Sequence, residues 1–527
     1  MRTFFCTLLL ALALPAAATQ PLLISAAAGD YVVASLRLAE AGVLELRGPG
    51  QQLLRRQAAP AGESDFRFVA GEAGSYLASL AGPQAQASFA LIEQRPLAGQ
   101  VPEAAPPEAP LDSPKLQALA SELGAGTPAF WAAVEALGMP LIEPLSDNPQ
   151  GWRVSFLWRG HATTRSVRLF WPVRQGDQER FARVAGTDVW HYSLRLPSGT
   201  RLAYQLAPDV PQLKGGSRQA QRRAILARVQ ADPLNPRRWT AGTPALPGFD
   251  NRLAEHSLLE LPGAPAEPWL APRAEVARGS LEHFPFKSQQ LGNERRLTVY
   301  RPAQAPAGPL PLLLLFDEDA YLSRVPTPTI LDNLIAAGRI PPLLAVLVGN
   351  PTRDSRSDEL PCNPRFADML AGELLPWLAA RYPITADPAR TVVAGSSYGG
   401  LASAWLGLRH PQRFGRVLSL SGSFWWAPAR PPGFVSGGLD DVAEGEWLTR
   451  QFVAAPRSEV QFYLAPGLLE RSAPADGPGI LETNRHLRDV LQARGQHVIY
   501  REFGGGHDYV NWRSELAEGL IALLGQP

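Results

Sequence analysis

Cysteine and net charge are the two features that this sequence lacks most clearly. Its 527 residues include two cysteines, and 50 Lys and Arg against 49 Asp and Glu leave a formal net charge of +1. Cys6 lies in an N-terminal segment that we expect to be removed, so Cys362 would remain alone and no internal disulfide could form. The balanced charge supplies no general attraction to nucleic acid or to an acidic membrane, and we expect neither as a partner.

Long apolar segments are also missing beyond the N-terminus. Residues 1–18, "MRTFFCTLLLALALPAAA", contain one Arg, a short apolar run and three closing alanines, the layout of a secretory signal peptide cleaved after Ala18. The apolar run is too short to span a bilayer, and no later segment is long and apolar enough. We therefore predict a periplasmic protein with no membrane span.

Proline and glycine, by contrast, are abundant, with 51 and 47 residues. From residue 20 to 96, period-2 runs such as "YVVASLRL" and "SDFRFVA" predict a small β-sandwich. Residues 97–114 are typical of a Pro-rich linker. Residues 115–245 begin with a helical stretch and continue with strands such as "WRVSFLWRG", which predicts a second sandwich, and residues 246–280 are predicted to be a linker.

The pattern changes in the last part of the chain, residues 281–527. Fully apolar strands such as "PLLLLFD" and "PLLAVLVGN" alternate there with amphipathic helices such as "TNRHLRDVLQARG". Strands that are apolar on both faces indicate a parallel sheet covered by helices on both sides. The predicted fold class is therefore α/β, with this domain preceded by two small β-sandwich domains.

The segment "VVAGSSYGGL" contains G-x-S-x-G, the nucleophile elbow of α/β-hydrolases, from Gly395 to Gly399. An apolar strand leads in and a helical segment leads out, as the motif requires. The residues two before and two after the nucleophile crowd one another, so both should be glycine. Ser397 has a glycine at both positions, whereas Ser396 has an alanine and a tyrosine. We predict that Ser397 is the nucleophile of an α/β-hydrolase catalytic domain.

A serine nucleophile needs a base, and in this fold the acid and then the histidine follow the serine in the chain. Three histidines lie far enough downstream. His507 follows a predicted strand and "FGGG", at the edge of the sheet where the base is needed. His486 lies on a predicted helix, and His497 lies just before its strand, at the opposite edge. His507 is therefore the predicted base.

The acid of the triad should follow the preceding strand, "VQFYLAPG". Glu470 lies three residues past Gly467, close behind that strand, and is the predicted acid. Asp476 lies farther out in a Pro- and Gly-rich loop, and Asp508 neighbours the predicted base. These two carboxylates remain as alternatives.

An oxyanion hole needs two backbone N–H groups. One should come from Tyr398, the residue after the nucleophile, and the other from the loop after the strand "LLLLF". The second donor should therefore lie between Asp317 and Asp319. Glu318 and Asp319 are nearly equivalent candidates for this donor, and we choose Glu318.

Several longer motifs resemble one family. "PLLLLFDEDAY", "RSDELPCNPRF", "RTVVAGSSYGG", "GLLE" and "GGGHDYVNW" are similar to the catalytic domain of ferric enterobactin (enterochelin) esterases. "VSFLWRG", "GTDVWHYSLRLP" and "ADPLNPRRW" are similar to the N-terminal domain of that family. The resemblance covers roughly Phe130 to Leu524 and implies hydrolysis of the ester bonds of a catecholate trilactone, often loaded with iron.

The resemblance also implies functional residues. It assigns Ser397, His507 and Glu470 to the triad, and it matches Arg356 to an arginine of the loop that lines the family's site. An arginine suits an anionic ferric catecholate because it offers charge and a fork of donors.

Further candidates surround that arginine. Arg353 would assist Arg356 in binding the substrate, and Glu359 would order the loop that carries both arginines. The alternative for Arg353 and Arg356 is a solvated charge on a loop. Trp425 and Trp426, behind the next strand, would form an aromatic wall for catechol rings, or else pack in the lid or core.

The chain departs from the family in two ways, through its extra N-terminal sandwich and its signal peptide. The exact siderophore is therefore open. A general periplasmic carboxylesterase and a non-catalytic ferric-siderophore binding protein are the competing hypotheses. No metal-ligand spacing is apparent, so we expect no cofactor, and iron would arrive only as part of the substrate.

Overall fold

The computed structural model of the protein describes residues 20–59, 61–81, 87–102, 104–171, 179–240, 255–428, 445–471 and 478–525. The predicted signal peptide lies outside these ranges. Within them, no helix combines the length and the apolar character that crossing a membrane requires.

The first domain is a β-sandwich of two antiparallel sheets. Its strands are β1 (Leu22–Ala26), β2 (Tyr31–Leu38), β3 (Gly42–Arg47), β4 (Leu53–Ala59), β5 (Gly62–Val69), β6 (Gly74–Leu80) and β7 (Ala87–Arg95). The sheet orders are β1-β6-β3-β4 and β5-β2-β7. Alternate residues of the strands, such as Leu44 and Leu46 or Phe66 and Phe68, are buried between the two sheets, which is the pattern that the period-2 runs predict.

The predicted linker 97–114 packs against the second domain instead of running free. Its backbone pairs with Arg183, whose N–H donates to Pro107 O at 2.8 Å and whose carbonyl accepts from Ala109 N–H at 3.2 Å. A proline-rich segment can add to the edge of a sheet in this way wherever its few N–H groups face a neighbour.

The second domain consists of two helices followed by a β-sandwich. Its elements are α1 (Pro114–Leu123), α2 (Pro128–Leu137), β8 (Leu141–Leu145), β9 (Asn148–Arg159), β10 (Val167–Phe170), β11 (Glu179–Arg180), β12 (Ala182–Arg183), β13 (Val189–Pro197), β14 (Arg201–Pro208), α3 (Arg218–Leu226), β15 (Arg238–Thr240) and β16 (Glu255–Glu260). The sheet orders are β11-β10-β14-β16-β15 and β12-β13-β9-β8.

The boundary predicted at residue 245 is too early. Strand β16 lies inside the predicted linker 246–280, yet it pairs antiparallel with both β14 and β15. Burial does alternate along its short run "EHSLLE", since Ser257 and Leu259 are buried. Six residues among Pro- and Gly-rich neighbours are nevertheless a weak signal for a strand.

The third domain is built on an eight-stranded sheet. Its strands are β17 (Ser280–Ser288), β18 (Asn293–Arg301), β19 (Leu312–Phe316), β20 (Leu344–Val348), β21 (Thr391–Ser396), β22 (Arg416–Leu420), β23 (Gln461–Ala465) and β24 (His497–Tyr500). The order is β17-β18-β20-β19-β21-β22-β23-β24, antiparallel at the β17-β18 end and parallel from β20 onwards. The sheet confirms the predicted α/β-hydrolase class.

Helices cover both faces of this sheet. They are α4 (Glu318–Ser323), α5 (Thr327–Ala336), α6 (Arg353–Glu359), α7 (Pro364–Met369), α8 (Leu375–Ala379), α9 (Tyr398–Arg409), α10 (Trp447–Ala454), α11 (Ile480–Ala493) and α12 (Tyr509–Leu524). In β19, Leu312 and Leu314 belong to one core and Leu313 and Leu315 to the other, which explains why the strand is apolar at every position.

Candidate active site

The carboxyl ends of the parallel strands carry every predicted triad residue. Ser397 follows β21, Glu470 follows β23 and His507 follows β24. Because parallel strands end at one edge of the sheet, the three loops share that edge, where open α/β sheets bind their ligands.

Ser397 occupies a strained turn between β21 and α9. Its backbone has φ 58° and ψ −119°, a conformation that costs a non-glycine residue roughly 1–3 kcal/mol. The turn is held by the end of β22, since Ser397 N–H donates to Leu420 O at 2.9 Å. A side chain at Gly395 would put its Cβ 2.7 Å from the carbonyl carbon of Gly399, so the first of the two flanking glycines is required sterically. A Cβ at Gly399 would meet nothing closer than Phe316 Cβ at 3.5 Å, so the prediction that both positions must be glycine is wrong for Gly399.

The two serines of the elbow differ in exposure. Ser396 is fully buried at the end of β21. Ser397 is partly exposed, and its Oγ lies 3.2 Å from Oγ of Ser423. Ser423 was not predicted as a site residue, although its position in "SGS" directly after β22, at the same sheet edge, was a usable signal.

His507 and Glu470 form a hydrogen-bonded pair. Nδ1 of His507 lies 2.5 Å from Oε1 of Glu470, and Oε2 of the same carboxylate accepts the N–H of Gly467 at 2.6 Å. Since a carboxylate can only accept, the proton sits on Nδ1 and Nε2 is left as the basic nitrogen. The Glu470 side chain is 1% exposed and that of His507 is 34% exposed, so the predicted acid is buried and solvent can reach the predicted base.

The His507 ring is also oriented by packing. It meets the ring of Trp512 edge to face, with centroids 4.8 Å apart and planes at 88°. Trp512 lies on the first turn of α12, and its indole N–H donates to Ser421 Oγ at 2.9 Å. Trp512 is a further residue of the site, and its signal in the sequence is its position in "HDYVNW", near the predicted base.

The other histidines and carboxylates lie elsewhere. His486 is exposed on α11 and pairs with Glu446 at 3.0 Å, and His497 is the exposed first residue of β24. Asp508 caps α12 by accepting the N–H of Val510 at 3.3 Å. Burial raises the pKa of Asp508 to about 6, although that hydrogen bond and the charge of Arg324 oppose the rise. Asp476 lies outside the described residues.

Each of the two predicted oxyanion donors is the first residue of a helix. Tyr398 is the first residue of α9 and Glu318 is the first residue of α4, where N–H groups have no acceptor within the helix. The Glu318 side chain is buried and accepts from Arg296 Nε at 2.8 Å and from Thr298, so only its backbone can serve the site.

Arg356 is fixed beside the elbow by an ion pair. Its Nε and Nη2 donate to the two carboxylate oxygens of Asp317 at 2.6 and 2.8 Å, and Asn350 donates to the same carboxylate at 2.8 Å. The guanidinium lies 5.7 Å from the ring centroid of Tyr398. Burial lowers the pKa of Arg356, but the bonds to Asp317 outweigh it and the pKa is raised. The sequence pattern indicates only the backbone of Asp317 as part of the site, and the structure adds its carboxylate.

The remaining predicted binding residues divide between the site and the core. Trp425 lies 6.2 Å from the Tyr398 ring, whereas Trp426 packs edge-on against Trp447 at 6.1 Å. Arg353 opens α6, and its side chain is outside the described part. Glu359 is buried and pairs with Arg295 at 3.0 Å, so it anchors the helix that carries Arg356.

Within the described ranges, no three or more His, Cys, Asp or Glu side chains cluster in a way that could hold a metal ion.

Two family models match the chain. The family described as "Putative esterase" matches residues 288–523, and the family described as "Enterochelin esterase, N-terminal" matches residues 153–270. The first covers strands β18–β24 of the eight-stranded sheet and the loops at its edge, and the second covers most of the sandwich beside them.

Curated relatives and solved structures agree with these matches. The iron(III) enterobactin esterase of Escherichia coli O6:H1 is 33% identical over 400 residues, 71% of this chain and 92% of the relative. The iron(III) salmochelin esterase of the same strain is 31% identical over 433 residues, 78% and 98% of the two chains. The ferric enterobactin esterase structure from Salmonella typhimurium gives a TM-score of 0.60 at 30% identity, covering 75% of this chain and 98% of that one.

A Shigella flexneri enterobactin esterase, solved in the presence of enterobactin, gives a TM-score of 0.56 at 29% identity over 76% of this chain and 99% of its own. The chain belongs to the iron(III) enterobactin esterase family and is a carboxylic ester hydrolase.

Proposed function

We propose that the protein is a serine esterase that cleaves the trilactone ester bonds of a catecholate siderophore such as ferric enterobactin, through a Ser397–His507–Glu470 triad. The observation that carries the proposal is the 2.5 Å contact between His507 and buried Glu470, at the same sheet edge as a serine held at φ 58°. The family membership supplies the substrate class.

The proposed reaction has two halves. Ser397 Oγ attacks the ester carbonyl while His507 Nε2 takes its proton, and Glu470 holds the ring and stabilises the imidazolium. The N–H groups of Tyr398 and Glu318 stabilise the oxyanion. Collapse breaks the acyl–oxygen bond, and His507 returns its proton to the alkoxide of the leaving alcohol. Water, deprotonated by His507, then releases the acid and restores Ser397.

Substrate recognition is proposed to rest on Arg356 with the Tyr398 and Trp425 rings. A ferric catecholate is anionic, and a guanidinium fixed by Asp317 meets it without having to be ordered on binding. The two rings present aromatic faces to catechols. Arg353 is proposed as a second cation, while the packing of Trp426 on Trp447 favours its core role over the predicted wall.

Replacing Ser397 by alanine should abolish hydrolysis and leave substrate binding intact. We expect kcat to fall roughly 10⁴-fold or more, because the triad works as one unit. The matched control is Ser396→Ala, which removes a buried hydroxyl from the neighbouring residue and should keep near-normal turnover. Chromatography of linear products from enterobactin, with and without iron, measures both variants.

The competing hypotheses predict other outcomes of that experiment. Hydrolysis that survives Ser397→Ala would refute the triad. Wild-type protein that binds ferric enterobactin yet releases no linear product would be a binding protein, and equal turnover of simple aryl esters and the trilactone would favour a general carboxylesterase.

Replacing Arg356 by glutamine should weaken recognition of the charged substrate selectively. We expect KM for ferric enterobactin to rise roughly 10- to 150-fold, since a hydrogen bond to a charged group contributes about 1.5–3 kcal/mol and each 1.4 kcal/mol is a factor of about ten, with a smaller rise for a neutral aryl ester. Steady-state kinetics on both substrates separates lost binding from damage to the loop that Arg356 shares with Asp317. An equal loss on both substrates would contradict the binding role.

We further propose that residues 1–18 export the protein to the periplasm and are removed there. Mass spectrometry of the N-terminal peptide from a periplasmic fraction should find Thr19 as the first residue. Full-length protein confined to the cytoplasmic fraction would contradict export.

A further inference from the structure

The loop that carries His507 is in direct backbone contact with the second domain. Arg201 N–H, at the start of β14, donates to Gly504 O at 2.8 Å. A Cβ at Gly504 would lie 2.5 Å from Gly199 O and 3.1 Å from Thr200 Cα, so the two backbones touch. Gly504 is three residues before the base, and a turn of another domain therefore sets the path of the base's loop.

The loop that carries Glu470 is tied to the same contact. Leu469 N–H donates to Gly505 O at 3.0 Å, and Leu468 N–H donates to Phe503 O at 2.9 Å. The Leu469 side chain packs against the sandwich core of the second domain, whose buried members include Leu202 and Leu261. Acid and base thus lie on two joined loops, and both loops rest on the second domain.

A chain of charged groups crosses the same boundary. Arg201 contacts Glu260 at 2.6 Å and Glu267 at 3.4 Å, and Glu267 accepts two bonds from Arg513 of α12, at 3.0 and 2.6 Å. Arg201, Glu267 and Arg513 are 6%, 12% and 14% exposed. Charge pairs this buried are costly to break, because each leaves a charge without its partner.

Apolar packing completes the contact at the start of α12. Val510, three residues after the base, is fully buried with Ala203 of β14 and Trp239 of β15. The second domain therefore contacts the chain both before His507, at Gly504, and after it, at Val510 and Arg513.

We propose that the Gly199–Arg201 turn of the second domain is a positioning element for the Glu470–His507 pair, acting through Gly504 and through the Arg201–Glu267–Arg513 chain. The inference rests on the proposed triad and adds a role that local sequence does not reveal. Displacing a catalytic group by about 1 Å can cost 10²-fold in rate, so a rigid contact three residues from the base affects turnover more than affinity.

The test replaces Gly504 by alanine in the full chain. Gly504 has no positive φ, so the added methyl group acts through its contact with Gly199. The matched control is Gly415→Ala, whose Cβ would lie 2.4 Å from Pro388 O, before β22 at the opposite edge of the sheet. Both variants are assayed on 4-nitrophenyl acetate as well as enterobactin, so that the readout does not depend on the siderophore.

For Gly504→Ala we expect kcat to fall roughly 10- to 100-fold with KM within about twofold, and Gly415→Ala to keep its kcat. The downfield NMR resonance of the His507 Nδ1 proton, bonded to Glu470, should shift or broaden in the first variant alone. Equal kcat values in the two variants, with that resonance unchanged, would overturn the proposal.

A second variant covers the case in which Gly504→Ala does not fold. Glu267→Gln keeps the shape of the side chain and removes the charge between Arg201 and Arg513, and kcat should fall roughly threefold or more at constant KM. A wild-type kcat in folded Glu267→Gln would contradict the proposal. Failure of the triad itself would look different, because Ser397→Ala would then retain activity.

Discussion

The buried carboxylate of Glu470 fixes the His507 ring through a hydrogen bond, and the proposed chemistry of the site relies on this contact. A carboxylate that is 1% exposed must be fully paired, and both of its oxygens are, by Nδ1 of His507 and by the N–H of Gly467. That pairing selects the tautomer with the proton on Nδ1 and leaves Nε2 as the basic nitrogen, the atom that would activate Ser397 in the proposed mechanism. In that proposal the elbow, the helices that begin at Tyr398 and Glu318, and the Arg356 loop all act in relation to this pair.

The architecture supplies this constraint at two levels. The parallel sheet brings the ends of β21, β23 and β24 to one edge, and the strained backbone of Ser397 is held there by the end of β22. The second domain then packs on the two loops that carry the proposed acid and base. Backbone contacts and buried charges thereby connect this β-sandwich to those loops.

The sequence predicts what depends on local pattern. The apolar strands define the sheet, the strand–turn–helix identifies the elbow, and the glycine at position 395 distinguishes Ser397 from Ser396. Glu470 and His507 could be chosen because each closely follows a strand. The contacts that could not be predicted join residues far apart in the chain. They are the Asp317–Arg356 pair, the pairing of strand β16 inside an expected linker, and the approach of Gly199 to Gly504. Periodicity carries no information about such contacts, since they are decided by packing between elements.

In the proposed mechanism Ser397 forms an ester with the substrate acyl group. Quenching the enzyme in acid during turnover of enterobactin and mapping the adduct by peptide mass spectrometry tests this covalent step. We expect an added acyl mass on the peptide that contains Ser397, absent from Ser397→Ala. Product release without any adduct, or an adduct on another residue, would contradict it.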